Sequence, residues 1–525
     1  MQKNKLLVTL LFAVLSIFMI TACSDGSIES NSDSSIESNS GGNSGGGGTV
    51  HPEPEPDLNV VKEFYNFLTW DNNTNDLYSQ YAILYDGSLY AWGNNNHGQL
   101  GVGLTDKDVL YQNDKKKVNI PGKVIQLIAD INSYINMDTT SSFYAITENG
   151  DLYVWGYNGS GQLGVGDEIY RNTPEKINLS GKIKTLKTSS RSVYAILEDG
   201  SLYAWGENHL GRLGVGDEVD KNTPTKVNLP GKIKELIGGL SAYAILEDGS
   251  LYAWGYNVYG QLGVGDEVDK NTPTKVNLPG TIKELIGGLS AYAILEDGSL
   301  YAWGNNNHGQ LGVGDNVNKN TPTKVNLPSK IKKLIIDSGS AYAILEDGSL
   351  YAWGSNSNGI LGVGDDVNRN TPTKVNLPSK IKELIIDSGS AYAILEDGSL
   401  YAWGKNEYGE LGVGDEVTIN TPTKVKLPSK IKELIIVDGS SAYAILEDGS
   451  LYAWGSNSNG ILGVGKSFTI YTPEQVTGIN GTIKEIFSST SIYGVNRYFL
   501  TEDDLLYVTG WEDLYYPVRI EFKEK

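Results

Sequence analysis

Apolar residues along this chain fall in short runs of four or five, each fenced by Gly, Asp or Pro, as in Ala242-Tyr243-Ala244-Ile245-Leu246 and Leu251-Tyr252-Ala253-Trp254. Runs this short, rich in β-branched and aromatic residues, predict strands and exclude an α-solenoid. Between the two runs stands Glu247-Asp248-Gly249-Ser250. Asp-Gly favours a tight hairpin turn with positive φ at both central positions, so the pair reads as a hairpin. The equivalents are Asp86-Gly87, Asn149-Gly150, Asp199-Gly200, Asp297-Gly298, Asp347-Gly348, Asp397-Gly398 and Asp448-Gly449. The runs do not alternate apolar with charged positions, which implies that both faces of the sheet are covered. An Ile-Lys-Glu-Leu-Ile segment such as 233–237 and a Pro-Thr-Lys-Val-Asn-Leu segment such as 224–229 supply an inner and an outer strand, making four per unit.

The unit recurs. Leu-Tyr-x-Trp-Gly places Trp at 92, 155, 205, 254, 303, 353, 403 and 454, and a ninth copy reads Leu506-Tyr507-Val508-Thr509-Gly510 with Thr in the Trp position. A period near 50 residues is the mark of a propeller, a solenoid or an array. After the Trp comes a loop that in the fourth unit reads Gly255-Tyr256-Asn257-Val258-Tyr259-Gly260-Gln261-Leu262-Gly263-Val264-Gly265. Its glycines permit cramped or left-handed backbone and its Asn suits an Asx turn. On these residues the chain resembles the regulator of chromosome condensation repeat family, whose units carry Gly-x-Leu-Tyr-x-Trp-Gly-x-Asn-x-x-Gly-Gln-Leu-Gly, over about residues 58 to 525. The resemblance implies an all-β fold, a β-propeller of four-stranded antiparallel blades. The family's usual ring has seven blades and this chain has nine sequence units, so seven to nine blades are expected, with eight or nine favoured. Two units are longer than the rest: 131–142 reads as an insertion, and 104–119 lacks the Thr-Pro.

Ahead of the repeats, Lys3 and Lys5 precede an uncharged stretch, 6–22, that reads as a secretory signal and is short for a membrane span. It ends Ile20-Thr21-Ala22-Cys23, which looks like the lipobox of bacterial lipoproteins, with the chain's one cysteine positioned to accept the lipid. Residues 24–57 are Ser, Asn, Gly and Glu followed by Pro52-Glu53-Pro54-Glu55-Pro56, too poor in apolar groups to order themselves. The expected layout is therefore a signal peptide at 1–22, a lipidated Cys23 with a flexible, disordered tether at 23–57, and the repeats at 58–525. It describes an exported, membrane-anchored protein facing outside the cytoplasm, at the cell surface or in the periplasm, and touching the membrane through the Cys23 lipid only.

Charge then narrows the partners. Asp and Glu number 63 against 42 Lys and Arg, a formal net charge of -21. That balance repels phosphate backbones, so nucleic acid is not an expected partner. One Cys makes no intramolecular disulfide, and no Cys/His cluster is present to hold zinc. Paired carboxylates such as Glu247-Asp248 recur in most units and are explained by turn structure, no singular Ser-His-Asp arrangement stands out, and the Gly-Val-Gly stretches lack the lysine of a phosphate loop. An enzyme is not expected, nor a cofactor. Asp217-Glu218 with Asp220, and Asp266-Glu267 with Asp269, offer oxygen atoms to calcium. Such loops more often cap turns, and the slot becomes Lys466 in unit eight, so no metal site is assigned.

Positions that differ between units can carry specificity without harm to a shared frame, and they cluster in the post-Trp loop. The candidate partner-binding residues are Asn94, His97, Tyr157, Glu207, His209, Tyr256, Tyr259, His308, Lys405 and Tyr408. Loops of one kind leave a ring on one side, so these residues are expected to form a crown of Tyr, Asn and His, and Tyr suits binding. His97, His209 and His308 stand in units one, three and five, too far apart to share a metal ion. The expected function is a monomeric, surface-anchored scaffold that binds an unidentified protein or glycan through its loops. From the resemblance come two alternatives: an enzyme inhibitor like the secreted propellers that inhibit β-lactamase, or a nucleotide-exchange factor for a small GTPase as in eukaryotic members.

Overall fold

A computed structural model describes residues 61–71, 74–95, 98–103, 111–133, 139–491, 494–503, 505–510 and 515–520. The signal, Cys23 and the tether lie outside them, as does His97. The described residues form nine four-stranded antiparallel sheets, each taking its strands in chain order, so the fold is an all-β propeller of nine blades. The count exceeds the seven usual for the family that the sequence resembles. Contacts divide the chain into two compact units, one holding blades one and two with parts of blade three, the other blades four to nine with the rest of blade three.

Blade four shows how the sequence makes a blade. Its strands are Ile233–Ile237, Ser241–Leu246, Leu251–Gly255 and Lys270–Val276. All six residues of the second strand are buried, as the unbroken apolar run requires. Within it, small and large side chains alternate. Tyr243 and Ile245 enter one core with Ala291, Ala293 and Trp303 of blade five, so large groups of one blade fill the space left by alanines of the next. The pattern repeats one blade on, where Tyr292 and Ile294 meet Ala341, Ala343 and Trp353. In the other unit, Tyr144 and Ile146 meet Val193, Ala195 and Trp205. Trp205, Trp254 and Trp303 are all fully buried.

Two local expectations need correction. The 246–250 turn is not the two-residue form with positive φ at both central residues: only Gly249 is left-handed, at φ 84°, and Asp248 is not. Gly249 N donates to Leu246 O and Leu246 N to Ser250 O, both at 2.9 Å, which makes a three-residue loop ending in a left-handed Gly. Asp248 contributes through its side chain instead, accepting from Ser250 N at 2.9 Å and Ser250 Oγ at 2.6 Å. The 131–142 stretch is a lengthened hairpin rather than an inserted loop, because Ile131 pairs with Ser141 and Ser133 with Thr139. Blades one and nine also open with long hairpins, Val61–Asp71 with Thr74–Leu84 and Ile483–Ser491 with Gly494–Thr501.

Candidate binding loops

The post-Trp loops of blades two to seven are each organised by one buried asparagine. In blade four Asn257 is fully buried. Its Nδ2 donates to Asp266 O and Val268 O, both at 3.0 Å, and its Oδ1 accepts from Leu262 N at 2.9 Å. Asn158, Asn208, Asn306, Asn356 and Asn406 make the same three kinds of bond. A buried amide satisfied on both ends fixes a loop far more firmly than glycine-rich composition suggests.

The loop is then tied to the next blade. Gln261 O accepts from Tyr243 Oη of its own blade at 2.6 Å and from Trp303 Nε1 of blade five at 2.8 Å. Gly265 N donates to Asn320 O on the fourth strand of blade five at 2.8 Å. Gly263 lets the indole in: its φ is +73°, and a Cβ there would sit 2.7 Å from Trp303 Nε1. The same double acceptance holds at Gln162, Gln310, Ile360 and Glu410. A carbonyl has two lone pairs, so a single oxygen can serve an intra-blade and an inter-blade donor together.

The aspartates considered for calcium are occupied within the loop. Asp266 Oδ1 accepts from Val268 N at 3.1 Å and Oδ2 from Lys270 Nζ at 2.8 Å. The Lys270 bond is the largest influence holding the Asp266 carboxyl below its ordinary range, and Asp315 with Lys319 and Asp365 with Arg369 repeat it. Asp269 accepts from Asn257 N at 2.7 Å. Among the described residues no three His, Cys, Asp or Glu side chains gather around a point where a metal ion could sit.

The residues named for a crown have more varied settings than expected. Asn94 is buried and does not project. The first slot after Trp-Gly is half-buried at Tyr157, Glu207, Tyr256 and Lys405, while His209, His308 and Tyr408 are exposed. Several of these side chains engage residues of their own loop. The rings of Tyr256 and Tyr259 meet edge-on at 6.2 Å. Lys405 Nζ pairs with Glu407 at 3.0 Å and lies 5.6 Å from the Tyr408 ring centroid. In blade five Asn305 Oδ1 accepts from Gln310 Nε2 at 3.0 Å, so the first slot is coupled to the residue five positions on. Blade seven puts Lys405 and Glu410 in those places, and Glu410 is among the charges raising the Lys405 pKa, after the Glu407 bond. Blade four puts Tyr256 and Gln261 there, and Gln261 Nε2 is left buried without a partner. Part of the variation at the first slot is thus internal compensation. His308 reaches the loop of the next blade, its Nδ1 3.5 Å from Asn368 Nδ2 of blade six. The most exposed apolar side chains of these loops are at none of the named slots but at the tip that follows, at Ile169, Val219, Val268, Val317, Val367, Val417 and Phe468.

This geometry defines a class: a propeller whose blades are linked by Trp-to-loop hydrogen bonds and Gly-rich connections. The RCC1-like domain matches residues 78–391, and the regulator of chromosome condensation (RCC1) repeat matches 397–437 and 448–492. The chain belongs to the RCC1-like repeat propeller family. It is 33% identical over 100 residues to the ultraviolet-B receptor UVR8 of Arabidopsis thaliana, covering 19% of this chain and 20% of that one. It is 31% identical over 99 residues to the probable E3 ubiquitin-protein ligase HERC3 of Homo sapiens, covering 19% and 8%. The chain thus spans a fifth or less of the length of these two relatives. Among solved structures, human WBSCR16 is similar at 21% identity and TM-score 0.40, with 64% of this chain and 96% of that one covered.

Proposed function

We propose that this protein is a surface-anchored interaction scaffold: the Cys23 lipid holds the exported chain at a membrane, and the post-Trp loops bind a protein partner. The observation that carries this reading is a repeated, rigid loop frame whose exposed side chains vary while its buried Asn, Gly and Trp do not. A frame fixed by satisfied buried bonds presents its tips with little entropy left to lose on binding. Members of the family mediate protein interactions, which agrees with it. Anchoring rests on the Lys3, Lys5, 6–22 and Ile20-Thr21-Ala22-Cys23 pattern. Metabolic labelling with palmitate should mark the protein, and Cys23→Ser should abolish the label; a label that survives Cys23→Ser would remove the lipid from the proposal. For binding, the soluble chain should capture a partner from envelope or host-surface extract and lose it on replacing Tyr256, Tyr259 and Tyr408 by Ala. Capture of a glycan instead of a protein would reassign the partner class.

A further inference from the structure

Within the unit that holds blades four to nine, six consecutive loops carry an apolar side chain at one position: Val219, Val268, Val317, Val367, Val417 and Phe468, each 59% to 65% exposed. The backbone at this position is structural, since Val268 N and O bond Asp266 and Asn257, but those bonds ask nothing of the side chain. The neighbours show what drift would look like. The preceding residue is Glu218, Glu267, Asn316, Asp366, Glu416 or Ser467, and the following one is Asp220, Asp269, Asn318, Asn368, Thr418 or Thr469. The exposed position stays apolar even where it changes from Val to Phe, and in the other unit the same slot is Ile169, 66% exposed.

The six tips stand on one continuous support. Gly216, Gly265, Gly314, Gly364 and Gly414 each donate their N–H to the fourth strand of the next blade, at Asn271, Asn320, Asn370, Asn420 and Tyr471, and Gly465 donates to Tyr515 just ahead of the short fourth strand of blade nine, over 2.8 to 2.9 Å. Basic side chains near the tips are spent on carboxylates inside the loops, Lys270 on Asp266, Lys319 on Asp315 and Arg369 on Asp365. That leaves Glu218, Glu267 and Asp366 exposed beside the apolar row, with Glu416 exposed too but accepting from Tyr471 Oη at 3.0 Å. Resting on the interaction reading above, we propose that this belt is the docking surface, and that its partner is a protein segment alternating basic with apolar side chains, bound at several tips at once. Charge selects the partner: a second copy of a chain with net charge -21 would be repelled, while a cationic segment is attracted and then fixed by apolar contact. Single valines give little, and the row acts by repetition.

The test uses the full chain lacking its signal segment, with three fluorescent synthetic peptides of equal length as probes: alternating Lys-Val, Lys-Ser and Glu-Val. Binding should follow the order Lys-Val, then Lys-Ser, then Glu-Val, with the first about tenfold tighter than the second. Replacing Val219, Val268, Val317, Val367, Val417 and Phe468 by Ser should erase that tenfold preference while leaving the melting temperature unchanged, because none of these side chains is in a core. Replacing Glu218, Glu267 and Glu416 by Gln and Asp366 by Asn should instead flatten the salt dependence. Equal affinity for Lys-Val and Lys-Ser, or a preference that survives the Ser variant, would overturn the belt. The interaction reading itself is separable: if the Ser variant still captures the extract partner that the Tyr variant loses, the scaffold stands and only this surface falls.

Discussion

In blade five the indole of Trp303 is fully buried and gives its N–H to Gln261 O, whereas in blade one Trp92 is nearly as buried but its Nε1 has no partner among the described residues. Blade nine departs in the other direction. Thr509 replaces the Trp, yet its Oγ1 reaches the same carbonyl of the preceding loop, Ile461 O, at 2.9 Å. Opposite it, where the middle blades have the alanine that pairs with Trp, as Ala442 does with Trp454, blade nine has a buried Arg497. The large residue has changed strands. Arg497 Nη1 bonds Ser488 Oγ at 2.9 Å and Asp438 Oδ2 at 3.2 Å, but its Nε and Nη2 are buried without partners. The middle blades therefore satisfy the indole N–H through repetition, whereas blade one leaves it without a partner among the described residues and blade nine exchanges it for a threonine hydroxyl and a partly satisfied arginine. Buried polar atoms without partners are not confined to those two blades, since Gln261 Nε2 and Glu410 Oε1 lack them in blades four and seven.

The largest test of this difference is alkaline. Burial raises the hydroxyl pKa of Tyr81, Tyr144, Tyr243, Tyr292, Tyr342, Tyr392 and Tyr443, with the last pushed up to about 12. A folded pKa raised above the unfolded value contributes stability that is complete below about pH 10 and is lost as pH rises. At pH 11 each such tyrosine forfeits about 1.4 kcal/mol, on the order of 10 kcal/mol together, enough to unfold the protein. Absorbance of tyrosinate should rise for the exposed tyrosines first and for these only with loss of the near-ultraviolet circular dichroism; smooth ionisation without unfolding would contradict their burial. Next in size is Gly263→Ala, where a positive φ and a Cβ against the Trp303 indole should cost about 2–4 kcal/mol in urea unfolding. Gly463→Ala has a similar φ of +75° but faces Thr509 and Pro517, no nearer than 3.1 Å, and should cost about 1–2 kcal/mol. Equal costs would mean that the indole does not set the packing.

A smaller effect isolates the exchange of Trp for Thr and Ala for Arg. Thr509→Trp alone should overfill the site against Arg497, and Arg497→Ala alone should leave a void, each costing about 1–3 kcal/mol. Combined they restore the middle-blade pairing, and a double-mutant cycle should return a favourable coupling of about 2 kcal/mol. Additive costs would show that the two positions are independent.

Much of this was legible in the chain. The Leu-Tyr-x-Trp-Gly spacing with its ninth, Thr-bearing copy matched the nine units, the Asp-Gly and Asn-Gly pairs located the central hairpin of blades one to eight, and the apolar runs without alternation announced sheets covered on both faces. What escaped was carried by the backbone. The stitch between blades ends on a main-chain oxygen, so its residue is Gln261, Arg212, Ile360 or Glu410 without penalty, and side-chain identity does not reveal it. The turn type escaped for a related reason, because Asp248 works through a side-chain cap rather than through its φ. Variation at the first slot also has an internal partner five residues on, as Asn305 and Gln310 show, and that coupling is invisible in the loop sequence alone. The exposed row at the loop tips could have been seen as an apolar residue recurring inside otherwise polar Asp-Glu-Val-Asp segments.

The smallest effect bears on Trp92 alone. Trp303→Phe keeps most of the ring but removes the donor to Gln261 O, which retains only Tyr243 Oη. The lost bond should cost about 1 kcal/mol beyond the change in buried area. In blade one the same substitution breaks no bond. The core around Trp92 comprises Val61, Ala82 and Leu84, with Phe64 at 5.7 Å from its ring. Its indole N–H is a buried donor without an acceptor among the described residues, and removing such a group relieves a desolvation penalty of about 1–3 kcal/mol that offsets the lost packing. Trp92→Phe is therefore expected to be neutral or slightly stabilising where Trp303→Phe is not, as read from paired urea midpoints. If the two variants fall equally, Trp92 has a hydrogen-bond partner in solution, and the contrast between the first blade and the middle ones disappears at this position.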